Sequence, residues 1–223
     1  MRYGAARSVS NTPPQSLAGT RCSARPFDLE EAAMSARSFA SPTELPALDP
    51  DTGLVRVVID TPKGSRNKYK FDSKLGLLKL SRILPAGMSF PYDFGSIPST
   101  CAEDGDALDV LVLTEAPLFP GCLVHAHLIG VIRAVQKERR KMIRNDRLLA
   151  TLETPVNKPS ITQLNQVDGQ QLKDIEHFFR SYNQAQGREF RITGRGGARQ
   201  AQKMFRDAVR EFDRSKSKQA EGA

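Results

Sequence analysis

Between residues 54 and 151 this chain is a succession of short β-prone runs separated by turn formers, and helical periodicity appears only after residue 170. Leu54-Val-Arg-Val-Val-Ile-Asp60 has the β-branched content of a strand and is broken by Thr61-Pro-Lys-Gly64. Asn67-Lys-Tyr-Lys-Phe71 and the run from Leu77 to Leu80 alternate in polarity on either side of a turn at Gly76. Residues 84–100, rich in Pro and Gly, are expected to form a long loop. Val110-Leu-Val-Leu113 then reads as a buried strand, followed by a turn at Pro117 to Gly121. A long strand runs from Leu123 to Ala134 with a bend at Gly130, a charged hairpin tip covers Lys137 to Lys141, and a strand returns from Arg147 to Thr151. Six or more strands this short and this closely linked predict a small closed barrel rather than a parallel sheet.

Helices come late. Leu172, Ile175, Phe178, Phe179 and Tyr182 fall on one helical face between Gln170 and Gln186, and Gly187 stops the run. Ala201, Met204, Phe205, Ala208, Val209 and Phe212 form a second apolar face between Ala198 and Phe212. The expected fold is mainly β, an OB-like closed barrel with two C-terminal helices packed on it. Residues 1–50, rich in Ser, Pro, Ala and Arg, are expected to be a disordered or loosely ordered extension; residues 51–214 are expected to form the barrel domain and 215–223 a basic tail.

Charge narrows the partners. The 223 residues carry a formal net charge of +8, which suits an anionic ligand. Part of the excess is local: Arg2, Arg7, Arg21 and Arg25 precede the first acid, Asp28, and Arg210, Arg214, Lys216 and Lys218 load the far end. Tails of this kind are ordinarily solvated, so a phosphate compound is expected before nucleic acid, with a basic OB-like nucleic-acid binder as the alternative that the charge leaves open. Cys22, Cys101 and Cys122 are an odd, sparse set, pointing to a reducing compartment. No apolar run approaches transmembrane length, so no membrane is expected and the location is read as cytoplasmic. The acid-poor start resembles an organellar transit peptide; a plain extension, with Met34 as an alternative start, fits the same residues.

Asp104-Gly-Asp106-Ala-Leu-Asp109 stands directly before the Val110–Leu113 strand, with Glu103 beside it. Like charges crowded at the mouth of an apolar segment repel, and burial raises that cost. A hard divalent cation with oxygen ligands, Mg²⁺ above all, compensates it. A calcium EF-hand is excluded because the sixth loop position holds Asp109 where glycine is needed and a strand follows. Lys68 and Lys70 share one strand face, and with Arg82 they supply what a metal-bound polyphosphate requires. Asp93-Phe94-Gly95 matches a kinase tripeptide, but no kinase catalytic or glycine-rich loop accompanies it. His125 and His127 share a strand face without a third zinc ligand, and Gly194-Arg-Gly-Gly197 is expected as a turn.

The order Lys68-Tyr69, Arg82, Phe90-Pro-Tyr-Asp-Phe-Gly95 and Asp104-Gly-Asp-Ala-Leu-Asp109-Val-Leu-Val resembles the soluble family I inorganic pyrophosphatases, from about Val55 to Gly194. That resemblance implies a five-stranded OB-like barrel, a homo-oligomer, and Mg²⁺-dependent hydrolysis of pyrophosphate to two phosphates. It implies Asp104 and Asp109 as metal ligands and Asp106 as the base for the attacking water. Lys68, Arg82 and Tyr182 would bind phosphate, and Asp60, standing where the family has Glu, would belong to the same substrate-binding set. The departures are Ala107 for Pro, Phe94 for Tyr, Asn183 for Lys, and a hairpin that lacks the family's two further metal-binding aspartates. Register places Asn145 at one of them, with Asp146 adjacent and Arg147 at a usual lysine that faces phosphate. The other has no match, Glu138 being the nearby acid.

Overall fold

The computed structural model describes residues 42–138, 141–154 and 156–221. The expectations for Cys22, Met34 and the transit-like start lie outside them, as does the Glu138 side chain. Nine strands and two long helices are present among the described residues: β1 (Val55–Thr61), β2 (Asn67–Asp72), β3 (Leu77–Ile83), β4 (Asp93–Ile97), β5 (Leu108–Leu113), β6 (Leu123–Glu138), β7 (Lys141–Arg144), β8 (Arg147–Glu153), α1 (Gly169–Gln184), β9 (Phe190–Gly197) and α2 (Ala198–Glu221). Strands pair in the order β1-β4-β5-β8-β6, and β6 pairs back to β1, so five strands close a ring. Within the ring only β5 and β8 run parallel. β2 and β3 form a separate ribbon, while β7 and β9 extend the distal half of β6.

Period-2 alternation explains how one ring serves two cores. All five ring strands contribute to the first cluster, with Val57, Ile59, Ile97, Val110, Val112, Val131 and Leu148 at 0% exposure. That set is the ring interior, and Ala201, Phe205 and Ala208 of α2 join it. The intervening residues Leu111, Ile132 and Leu149 face outward, where Phe178, Phe179 and Ile175 of α1 cover them. A strand buried on both faces reads as an unbroken apolar run, which is why Val110–Leu113 shows no alternation in sequence. Asp168 caps α1, accepting from the N–H groups of Gln170 and Gln171 at 2.8 and 3.1 Å. The bend expected at Gly130 is a register break between Leu128 and Gly130 in the β6–β8 pairing.

Four expectations change. Residues 84–100 are not one loop: they contain β4, whose Gly95 and Asp93 suppress its intrinsic strand signal. Gly194-Arg-Gly-Gly197 is the end of β9 paired to β6, not a turn. The ordered chain also begins before residue 51: Leu48 bridges Val55, and Asp49 is held by Thr52 and by Arg56 at 2.8 Å. The tail expected from residue 215 continues α2 to Glu221.

Gly95 is where β4 meets β1, and a Cβ there would collide with the Val58 carbonyl. Gly95→Ala forces the two strands apart at the ring seam. It should lower unfolding free energy by about 1–3 kcal/mol, the usual cost of overpacking. The midpoint of urea denaturation checks this; an unchanged midpoint rejects close approach as the reason for glycine.

Candidate active site

The acidic loop joins β4 to β5, and its base is pinned from within. Thr100 donates its hydroxyl to the Ile97 carbonyl at 2.6 Å and accepts from the Leu108 N–H at 3.0 Å. The Ala102 N–H reaches the Asp106 carbonyl at 2.8 Å, and Gly105 turns the chain at φ +83°. The Asp106 N–H donates to Asp104 Oδ1 at 3.2 Å, fixing the Asp104 carboxylate against the backbone of the loop. Asp109 lies on β5 opposite Ser96 of β4.

The ribbon brings cations to these acids. Lys70 Nζ reaches both oxygens of Asp106 at 2.9 Å. Both partners are well over half exposed, so this bond is worth at most about 1 kcal/mol and is readily exchanged. Burial pulls the Lys70 ammonium down, but Asp106, Asp109 and Asp104 outweigh it and hold the group above the ordinary lysine range. Lys68 Nζ stands over the Phe94 ring at 5.0 Å and the Tyr182 ring at 5.5 Å. Arg82 is its cross-strand partner. The expected set of Lys68, Arg82 and Tyr182 is therefore gathered by the ribbon and α1.

Asp60, at the end of β1, is 7% exposed, and its Oδ1 has no hydrogen-bond partner among the described residues. Burial, and then the charge of Asp109, push its carboxyl up to about 7; Ser96, Lys68 and Lys70 pull the other way. Desolvation, followed by Asp109 and Asp106, likewise raises the Asp104 carboxyl, against a backbone bond and Arg147. Clustered carboxylates short of positive charge are the chemistry that a hard divalent cation completes. Asp60, Asp104 and Asp109 fit that role as oxygen donors. Among the described residues, no three acidic, thiol or imidazole side chains already converge on one point.

The hairpin end differs from the expected ligand set. Asp146 accepts from the Ala134 N–H at 2.8 Å and from Arg144 at 2.5 Å, which ties its carboxylate to the hairpin. Asn145 donates to Gln136 Oε1 at 2.8 Å and accepts from Arg147. Arg147 Nη1 lies 2.9 Å from Asp109 Oδ2, so the group expected on phosphate is turned to a carboxylate. Gln136 was missed: it lies opposite Ile143, and its side chain reaches Asn145 diagonally across the hairpin, a placement that only the register of the two arms sets. A cavity of about 280 Å³ opens behind the loop, between Asp104, Asp109, Asn145, Arg147 and Asp207 of α2. Lys68, Lys70, Arg82 and Tyr182 do not line it. His125 and His127 stand apart, against Asp49 and Glu153.

Residues 57–213 match the family described as inorganic pyrophosphatase. The chain belongs to that family. It is 37% identical over 155 residues to the inorganic pyrophosphatase of Synechocystis sp., covering 68% of this chain and 87% of that one. It is 38% identical over 152 residues to that of Methanosarcina acetivorans, covering 68% and 88%. The solved inorganic pyrophosphatase of Thermus thermophilus superposes with a TM-score of 0.71 at 32% identity, over 78% of this chain and 99% of that one. The family consists of metal-dependent hydrolases, in keeping with the donor set here. As a pyrophosphatase the chain places its departures in the hydrogen-bonding pattern. Asn183, 1% exposed, donates to the Phe179 carbonyl at 2.8 Å and stabilises α1. Phe94 offers its ring face to Lys68 rather than a hydroxyl to a ligand.

The Asp60 shift has a sign that can be measured. The folded protein holds this proton to about pH 7, whereas the unfolded chain releases it near pH 4. Metal-free stability therefore falls as pH rises through that window. Asp60→Asn should raise metal-free stability at pH 8 by at most about 4 kcal/mol, with the gain fading below pH 4. Urea titrations in EDTA at the two pH values check it; a pH-independent difference rejects burial as the cause.

Proposed function

We propose that this chain hydrolyses inorganic pyrophosphate to two phosphates with Mg²⁺ as cofactor. The observation that carries the reading is the approach of the ribbon's cations to the acids: Lys70 bonds both oxygens of Asp106, and Lys68, the cross-strand partner of Arg82, acts with Lys70 on the buried Asp60. When bound, the divalent ion lowers the pKa of a water and offsets charge on the attacked phosphate. Asp104, Asp109 and Asp60 would hold it. Asp106 takes the water's proton on its carboxylate, exchanging its exposed bond to Lys70 as it does so. Lys68 and Arg82 grip the oxygens of the two phosphoryl groups and stabilise the charge that grows on the leaving phosphate. Tyr182, packed on Phe178 and Phe90, sets the Lys68 ammonium in place.

A second reading, a relative with weakened activity or an altered phosphate substrate, draws support from the hairpin, where the amides of Asn145 and Gln136 bond each other and Arg147 is turned to Asp109. Apolar side chains exposed on the ribbon, Leu77, Leu80 and Ile83, favour a homo-oligomer. No described helix is long and apolar enough to cross a membrane. Free Cys101 and Cys122 fit a reducing, cytoplasmic setting.

Phosphate release from pyrophosphate, measured with and without Mg²⁺, decides between the two readings; no release at any metal concentration overturns the first. Asp106→Asn should lower kcat by about 10²–10⁴-fold with an unchanged melting temperature. Near-normal turnover in that variant removes Asp106 as the base.

A further inference from the structure

Arg147 opens β8, and the parallel pairing of Val110 with Leu148 sets it beside Asp109 at the same end of two neighbouring strands. Its residue is 6% exposed, and Nη1 lies 2.9 Å from Asp109 Oδ2. The same nitrogen bonds the Asn145 side chain and reaches the carbonyls of Asn145 and Asp146 at 3.3 and 3.0 Å. The Phe179 ring lies 5.4 Å from Cζ and backs the guanidinium. Every one of these partners except Asp109 is neutral. Asn145 and Gln136, 9% and 5% exposed, bond each other and bring no charge. Asp146, the carboxylate next to Asn145, is held by the Ala134 N–H and by Arg144.

We propose that Arg147 is a built-in counter-cation for Asp109. It supplies on the hairpin flank the positive charge that a divalent ion supplies elsewhere in the cluster. Asp109 is left with one flank, towards Asp60 and Asp104, on which to take such an ion. The physics favours a guanidinium here. It is weakly hydrated, always charged, and its planar fork matches carboxylate and carbonyl acceptors in a buried setting. An ion entering this flank would meet a like charge a few ångströms away, and uncharged amide oxygens would compensate it poorly. Displacing Arg147 would strand its own buried charge. The Lys70–Asp106 pair is the opposite case, exposed and exchangeable, so the two cations divide the work: Lys70 yields to ligands and Arg147 does not.

The proposal rests on the hydrolase reading only in treating the acid cluster as a metal site. Its test counts ions without substrate, so loss of phosphate release and loss of this proposal are separate results. Mn²⁺ uptake by the full chain is followed by equilibrium dialysis, with circular dichroism to confirm folding. Arg147→Gln is expected to bind one more Mn²⁺ per chain at saturation, or to bind the wild-type number at least ten-fold more tightly. Arg147→Lys keeps the charge, and Asn145→Asp adds a carboxylate beside an intact Arg147; both are expected to stay at the wild-type count and within two-fold in affinity. If Arg147→Gln does not fold, these two variants decide. An unchanged count and affinity in folded Arg147→Gln overturns the proposal, as does an extra ion taken up by Arg147→Lys or Asn145→Asp.

Discussion

Repulsion among four carboxylates at one end of the ring is the constraint around which this protein is built. Asp104, Asp106 and Asp109 come from a single loop-to-strand passage, and Asp60 is carried to them by β1, where it is buried with an oxygen unpaired. An apolar ring cannot solvate such charges, so neighbouring elements must bring compensation. The β2–β3 ribbon brings Lys68 and Lys70, and β8 brings Arg147. The imbalance that remains is what makes the site receptive to a divalent ion and an anionic substrate together.

The fold serves this arrangement through closure. Five strands returning on themselves leave no open edge in the ring, and alternation along β5, β6 and β8 feeds one core inside and another beneath α1. The parallel β5–β8 contact has a direct chemical consequence, since it places Asp109 and Arg147 side by side. Rigidity is concentrated at the same end. Thr100 closes the base of the acidic loop, and the Asn145–Gln136 amide pair, with Arg147 on Asn145, locks the hairpin. The ribbon is more exposed than the ring strands, and the Lys70–Asp106 contact it makes to the acids is long-armed and exchangeable.

Much of the site was legible because its chemistry is local. Asp104, Asp106 and Asp109 are close in sequence, and strand alternation alone put Lys68 and Lys70 on one face. α1 was legible for the same reason: Leu172, Ile175, Phe178, Phe179 and Tyr182 repeat at helical spacing and are all buried. β4 was hidden because Asp93 and Gly95 have low strand propensity and pair only because β1 and β5 flank them. Gln136 was hidden because a hairpin with a charged tip can be aligned in several registers, and only the pairing of its arms selects one.

The sequence by itself determined that the chain would close short strands into a ring, put two amphipathic helices on it, and offer clustered carboxylates to a cation and a phosphate. Periodicity and like-charge crowding are properties of neighbours along the chain. Tertiary structure alone decided which charges meet. It buried Asp60 beside Asp109, gave Asp106 to Lys70, turned Asp146 onto the Ala134 amide, and aimed Arg147 at a carboxylate rather than at solvent. The reason is geometric: the balance of a buried charge depends on groups within a few ångströms, and strand order and register bring those groups together from distant parts of the chain.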